Sequence, residues 1–113
     1  MSSIEPIQNA VASWAKALPQ VSRVWLFGSR AKNAHREDSD VDLAIELDGT
    51  LLRGEDPFTY WTFEKRRLLL PLEPLIVGRI DFQLYQPVGT PHVVSYVAES
   101  GVLIYEKPQG GAP

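Results

Sequence analysis

The sequence contains no cysteine, and this absence excludes several kinds of chemistry at once. Disulfide bonds, thiolate zinc sites and thiol nucleophiles all require that side chain. The two histidines, His35 and His92, are far apart in the chain, so a histidine-rich metal site is not expected. No apolar run approaches the roughly 20 residues of a membrane-spanning helix. The N-terminal segment MSSIEPIQNA has neither the basic nor the apolar part of a signal peptide, and we therefore expect a cytoplasmic protein.

The composition is that of one ordinary folded domain. Of the 113 residues, 44% are hydrophobic and 22% are charged, values that argue against a disordered, collagen-like or coiled-coil chain. We expect the domain to span residues 1–107 and the short segment 108–113 to be disordered.

The charges are unevenly distributed, although the net charge is only −3. Residues 16–36 contain five cations and no acid, whereas residues 37–56 contain eight acids and one cation. One interpretation is that both blocks form solvated surfaces. The other is that they hold a phosphate group beside a divalent metal ion. The net negative charge disfavours a nucleic-acid-binding protein, which normally carries a basic excess.

Hydrophobic periodicity predicts alternating helices and strands. Apolar residues at three- and four-residue steps indicate helices, whereas strict alternation or short apolar runs indicate strands. The predicted helices are 4–17, 29–35, 56–72 and 91–100, and the predicted strands are 22–27, 40–47, 79–85 and 102–106. The fold class is therefore α/β (α+β), a single-layer mixed β-sheet flanked by helices in the order α-β-α-β-α-β-α-β.

Three aspartates on predicted strands are candidate metal ligands. Asp40 and Asp42 share one face of their strand, about 6.6 Å apart along the backbone. Carboxylates at this spacing can converge on one Mg²⁺ or hold a pair of ions. Asp81, near the start of a later strand, would be a further ligand or a base. The alternative is structural, with each aspartate serving as a cap or protecting a strand edge.

A second candidate feature is the Gly28-Ser29 pair between a predicted strand and helix. Glycine permits close backbone approach, and the start of a helix offers free N–H groups to an anion. Arg30, Lys32 and Arg36 follow closely and can neutralise a polyphosphate. The same pair is also common as a plain turn and cap. Neither a Walker A loop nor a G-x-G-x-x-G motif is present.

Taken together, these motifs resemble the nucleotidyltransferase superfamily of DNA polymerase beta and kanamycin nucleotidyltransferase. They run Gly28-Ser29, Asp40-Val41-Asp42-Leu43 and Ile80-Asp81-Phe82. The segments LFGSRAKNAHREDSDVDLAIEL and YVAESGVLIYEK are similar to the minimal nucleotidyltransferase (MNT) domains of prokaryotes. Such domains are commonly paired with a HEPN-domain protein in toxin–antitoxin modules.

The resemblance implies a polymerase-beta-like fold and a role for each motif. Gly28 and Ser29 would grip the triphosphate of ATP, and Asp40 and Asp42 would bind Mg²⁺, as two ions, or Mn²⁺. Asp81 would be the third acid and would assist deprotonation of the acceptor. Arg30, Lys32 and Arg36 are candidates to stabilise the pyrophosphate by their proximity in sequence. Two features depart from the family pattern: Asn33 stands where many relatives have glycine, and Glu37 and Asp38 add acids before the metal motif.

The resemblance further implies that AMP is transferred to a tyrosine of a HEPN toxin, and that the chain acts as the antitoxin. We expect the partner to complete the acceptor site of so small a domain, as part of a homo- or hetero-oligomer. Phe58, Tyr60 and Trp61 are the docking candidates, although aromatic residues at helical spacing more often belong to a core.

Two rival functions differ in their use of these residues. A non-catalytic antitoxin would neutralise its partner by occlusion and leave the acids unused. A hydrolase built on Ser29, His35 and an acid is disfavoured because the sequence has no G-x-S-x-G nucleophile elbow.

Overall fold

The computed structural model describes residues 4–28, 31 and 40–108. Within these residues the chain forms three helices and four strands. They are α1 (Ile4–Lys16), β1 (Val21–Phe27), β2 (Val41–Leu47), α2 (Pro57–Leu69), β3 (Ile80–Leu84), α3 (Pro91–Ser100) and β4 (Val102–Glu106). Strand β2 is the next described element after β1. Two short 3-10 turns, Gly49–Leu51 and Glu73–Leu75, flank α2.

The four strands form one mixed sheet in the order β3-β2-β1-β4. Strand β1 is antiparallel to both of its neighbours, whereas β2 and β3 are parallel. A parallel pair requires a crossover connection, and α2 lies in the segment that joins β2 to β3. The predicted mixed sheet flanked by helices is therefore confirmed.

The main core lies on the face of the sheet that α1 and α2 cover. Strand β2 shows why: Val41, Leu43 and Ile45 are completely buried, whereas Asp42 and Glu46 on the other face are half-buried. This alternation is the pattern expected of a strand with one face in the core. Helices α1 and α2 are joined by a hydrogen bond of 2.8 Å that the Trp14 indole N–H donates to the Leu68 carbonyl oxygen.

Helix α2 begins as the sequence predicts and ends earlier. The Asp56 side chain accepts a hydrogen bond from the Thr59 N–H, and Pro57 occupies the first turn. The helix ends at Leu69 instead of residue 72, two residues before Pro71. Leu70 still has helical φ and ψ angles, but Pro71 has no backbone N–H with which to continue the helical hydrogen bonds, so the helix ends here.

The three docking candidates on α2 differ in exposure. Tyr60 is buried, with 6% of its surface exposed, so its prediction as an exposed docking residue is wrong. Its position on the helix turns it towards the main core, where its hydroxyl accepts a hydrogen bond of 3.1 Å from the Gln20 side chain. Phe58 is 42% exposed. Trp61 is half-buried, and the Lys65 ammonium lies 5.5 Å from the centre of its ring.

The opposite face of the sheet is only partly covered, by α3. Phe27, Ala44 and Val93 form a small buried cluster there, and Trp25 and Val97 pack against it. Ala44 shares its strand face with Asp42, but it is completely buried because α3 covers this part of the sheet. Asp81, farther along the same face, is exposed. Helix α3 therefore leaves one region of this face accessible, and the acids lie in it.

Two sequence predictions lie outside the described residues. These are the helix at 29–35, of which Ala31 alone is described, and the disordered tail beyond residue 108. In the part of the chain that the structure describes, no helix has the length and apolar character needed to cross a membrane.

Candidate active site

Two of the predicted acids lie side by side on the open face of the sheet. Asp42 on β2 is in direct register with Asp81 on the parallel strand β3. On its other side, Asp42 is in register with Phe27 on β1. Neighbouring strands are about 4.8 Å apart, and residues in register point to the same face. Phe27, Asp42 and Asp81, from distant parts of the chain, thus form a row across three strands, with Asp42 at its centre.

Asp40 belongs to the same region but not to the sheet. It lies one residue before β2, and its side chain is exposed. Among residues 4–28, 31 and 40–108, no three acid, histidine or cysteine side chains converge as a group that could hold a metal ion. The backbone therefore aligns the Asp42–Asp81 pair, while Asp40 stands beside it.

Gly28 provides space for the Asp42 carboxylate. It follows the last residue of β1 and has a φ angle of +76°, a conformation that favours glycine. A Cβ atom built at this position would overlap Oδ2 of Asp42. The chain therefore needs glycine here for two independent reasons, the backbone angle and the close approach of a carboxylate.

The electrostatics of the row centre on Asp42. Burial raises the pKa of its carboxyl above the ordinary 3.8, and the negative charges of Asp81 and Asp40 raise the pKa further. Like charges held together in this way favour the binding of a cation. Carboxylate oxygens are the ligands that Mg²⁺ and Mn²⁺ prefer, so the Asp42–Asp81 pair has the ligand chemistry that suits a divalent metal ion.

Sequence reasoning did not assign a role to Gln83. Its side-chain amide N–H groups donate to Asp81, with 3.3 Å from Nε2 to each carboxylate oxygen. The strand alternation that places Gln83 two residues after Asp81, on the same face, was the available signal. Gln83 orients the carboxylate of Asp81.

Of the five predicted nucleotide-binding residues, the structure describes Gly28. The other four, Ser29, Arg30, Lys32 and Arg36, lie outside the described residues. His35, the histidine of the disfavoured hydrolase, lies outside them as well.

A cavity of about 310 Å³ adjoins the row of acids where β1 meets α3. Its described lining residues are Phe27, Gly28, Tyr96, Glu99 and Ser100. The rings of Phe27 and Tyr96 are nearly parallel, with an interplanar angle of 10° and centroids 6.1 Å apart. Sequence reasoning missed this cavity. The available signal was the helical spacing of Val93 and Tyr96, which places both on one side of α3.

Three solved structures show the same fold at low sequence identity. A toxin–antitoxin structure with AMP-PNP is 18% identical, with a TM-score of 0.58, over 90% of this chain and 75% of that chain. A protein of Sulfolobus solfataricus assigned as a nucleotidyltransferase is 21% identical, with a TM-score of 0.56, over 96% and 85%. The toxin–antitoxin MntA–HpeT, in a variant with two aspartates changed to glutamate, is 18% identical, with a TM-score of 0.55, over 90% and 75%.

The family comparison covers nearly the whole chain. No match is found among curated proteins. The family model described as "Polymerase beta, Nucleotidyltransferase" matches residues 9–110, a range that contains all three motifs and the four described strands. This match, together with the common fold, shows that the chain belongs to the polymerase beta nucleotidyltransferase family.

Proposed function

We propose that this protein transfers AMP from ATP to a hydroxyl group of a partner protein, and that it acts in this way as the antitoxin of a toxin–antitoxin pair. The observation that carries the proposal is the alignment of Asp42 with Asp81, beside a glycine that the Asp42 carboxylate requires. A structural role for the acids does not explain this arrangement, because two neighbouring carboxylates on an open sheet face repel each other.

The reaction is an in-line displacement at the α-phosphorus of ATP. The acceptor oxygen forms a bond to this phosphorus, the bond from the phosphorus to the oxygen bridging the α- and β-phosphates breaks, and pyrophosphate leaves with that oxygen. The acceptor proton passes to the Asp81 carboxylate, which Gln83 orients, and from there to water. Gly28, at the end of β1, lets the phosphates approach the backbone closely.

Asp40, Asp42 and Asp81 would hold the divalent metal ions. When bound, Mg²⁺ or Mn²⁺ neutralises phosphate charge and helps to orient the reacting groups. The chain itself supplies alignment: β2 and β3 fix the separation of two carboxylates, and the sheet keeps them on one face. We further propose that Ser29, Arg30, Lys32 and Arg36 bind the triphosphate and the departing pyrophosphate, because they follow Gly28 directly in the sequence.

The identity of the acceptor is a separate part of the proposal. Two structural neighbours are toxin–antitoxin proteins, one of them with the ATP analogue AMP-PNP. Another MntA–HpeT structure carries a tyrosine-to-alanine change, with 17% identity and a TM-score of 0.54. These neighbours support a protein acceptor, and we propose a tyrosine of a HEPN-domain toxin, in the cytoplasm, with the partner completing the acceptor site.

The test is transfer of label from ATP to the co-purified toxin in the presence of Mg²⁺. ATP labelled at the α-phosphate should label the toxin, ATP labelled at the γ-phosphate should not, and mass spectrometry should find one or more AMP units on tyrosine. Asp42→Asn should abolish labelling. Glu55→Gln is the matched control, since Glu55 is an exposed acid outside the row and the substitution removes the same charge.

One observation favours the rival function, occlusion without catalysis: no three ligands converge among the described residues. The same experiment separates the two functions. If Asp42→Asn still binds and silences the toxin, and the wild type transfers no label, then occlusion replaces AMP transfer as the function.

A further inference from the structure

The cavity between β1 and α3 shares Gly28 with the row of acids. Gly28 lines the cavity and also faces the Asp42 carboxylate. A group held in the cavity is therefore one residue away from the proposed site of phosphate chemistry. Its volume of about 310 Å³ lies at the lower end of the range for small-molecule sites, so it suits a single ring system better than a peptide segment.

The aromatic wall of the cavity indicates what kind of ring system it receives. Phe27 is buried and fixed in the sheet, whereas Tyr96 is 52% exposed. The two rings are stacked, so the buried Phe27 fixes the orientation of Tyr96, whose ring supplies a flat, partly exposed aromatic surface. Flat surfaces of this kind bind nucleobases by stacking, and such stacking depends little on which base is present.

The position of the cavity relative to Asp42 and Asp81 favours the nucleotide over the acceptor as its occupant. Phe27 lies one strand from Asp42 and two strands, or about 10 Å, from Asp81. The acceptor hydroxyl must lie near Asp81 if that residue takes its proton. A nucleoside extending from the α-phosphate to the other side of Asp42 would place its base on the β1 side, where the aromatic wall is.

We propose that the Phe27–Tyr96 cavity binds the nucleobase of the nucleoside triphosphate, and that Tyr96 determines specificity for nucleotides over bare polyphosphate. This inference rests on the proposed nucleotidyltransferase function and identifies the part of the site that binds the base.

The test compares two probes, each with Mg²⁺: α,β-methylene-ATP, which resists transfer, and inorganic tripolyphosphate. Titration calorimetry is carried out on the full chain as wild type, Tyr96→Phe and Tyr96→Leu. Phe63→Leu is the matched control, since Phe63 is an aromatic residue of α2 that is 75% exposed and lies outside the cavity lining. Thermal melting checks that each variant folds.

We expect Tyr96→Leu to bind α,β-methylene-ATP about 10-fold more weakly than the wild type, within the range that loss of base stacking produces. Its affinity for tripolyphosphate should not change. Tyr96→Phe, which keeps the ring, and Phe63→Leu should both bind the nucleotide analogue as the wild type does.

Four results would overturn the inference. If Tyr96→Leu binds the analogue as well as the wild type, or weakens both probes equally, Tyr96 does not contact the base. If Tyr96→Leu keeps nucleotide affinity but loses labelling of the toxin, the cavity receives the acceptor instead. In these cases the proposed function stands. A wild type that binds neither probe would overturn the proposed function together with the inference.

Discussion

Gly28 and Asp42 approach each other so closely that a single methyl group on Gly28 would occupy the position of a carboxylate oxygen of Asp42. Gly28 directly follows β1, Asp42 lies on the neighbouring antiparallel strand β2, and Asp42 is in register with Phe27, the residue just before Gly28. The glycine of the Gly28-Ser29 pair therefore makes room for a side chain of the neighbouring strand.

The first prediction concerns Gly28→Ala. Because the methyl group displaces the Asp42 carboxylate, we expect label transfer to fall by about 100-fold or more, the size of effect that small misplacements in an active site produce. The free energy of unfolding should fall by about 1–3 kcal/mol, as is typical of strain at a left-handed residue. Labelling assays and urea denaturation measure the two effects.

Two other glycines distinguish the two effects expected of Gly28→Ala, which are steric overlap with Asp42 and backbone strain. Gly54 has a φ of +82° but open space around its Cα, and Gly49 has neither a positive φ nor a close neighbour. Gly54→Ala should lower stability without lowering transfer, and Gly49→Ala should change neither by much. If Gly54→Ala impairs transfer as strongly as Gly28→Ala, the steric explanation is wrong.

The second prediction is that Asp42→Asn stabilises the fold while abolishing transfer. The pKa of Asp42 is raised in the folded state, so above the ordinary value of 3.8 the folded protein retains a proton that the unfolded chain loses. The stability of the wild type should therefore decline as the pH rises from 3.8 through the folded pKa.

Asparagine removes this charge, and the decline should be smaller in the variant. At neutral pH we expect a gain of about 0.5 kcal/mol or more, as is common when charge repulsion at a functional site is relieved. Urea denaturation in the absence of metal, at several pH values, measures it. Equal pH slopes for the wild type and the variant would show that the Asp42 charge is not destabilising.

The third prediction concerns Gln83 as a positioning residue. Removing its amide in Gln83→Met takes away both hydrogen bonds to Asp81. We expect the labelling rate to fall by about 10-fold, in the range found for residues that orient a functional group. The KM for ATP should change little. A change in KM with an unchanged rate would place Gln83 in nucleotide binding instead.

The fourth prediction concerns Lys107, which directly follows β4 and connects the end of this strand to Pro19 and Asp48. Its ammonium donates hydrogen bonds to the Pro19 carbonyl oxygen at 3.0 Å and to the Asp48 carboxylate at 2.5 Å. Hydrogen bonds from Lys107 and Thr50 lower the pKa of Asp48 to about 2. The stabilisation that this carboxylate provides is therefore complete above pH 3.8 and is lost as the pH falls towards 2.

Lys107→Met should cost about 1 kcal/mol of stability at pH 7, near the upper end for partly exposed ion pairs. The cost should shrink in 1 M salt, which screens the pair, and below pH 3. Thermal or urea denaturation under these conditions measures it, with Lys16→Met on the exposed side of α1 as the control. A cost that is the same at all salt concentrations would assign the effect to packing of the lysine stem.

The sequence predicts the local elements well because their boundaries depend on local chemistry. Pro91 and Gly101 enclose α3 at its observed limits, and Asp56 with Pro57 marks the beginning of α2. Alternation in β2 correctly separates the buried Val41, Leu43 and Ile45 from Asp42. Local pattern left Tyr60 open between a docking residue and a core residue, and the structure places it in the core.

The sequence predicts less of the site, because the site depends on pairing between distant segments. The register of Asp42 with Asp81 is set by the order of the strands, which no local pattern specifies. The Phe27–Tyr96 wall likewise requires α3 to return across the end of β1. The sequence indicated Asp81 as a ligand or a base, and the resemblance made it the third acid, whereas the contacts of Gln83 and Tyr96 are seen only in the structure.

The distance between Asp42 and Asp81 does not depend on the length of the crossover that connects β2 to β3. Hydrogen bonding between the two strands fixes the positions of Asp42 and Asp81, so residues added to or removed from the turns around α2 leave that distance unchanged. Descendants of such a domain are free to lengthen or replace this segment. The surface of the crossover can thus vary without moving the two carboxylates relative to each other.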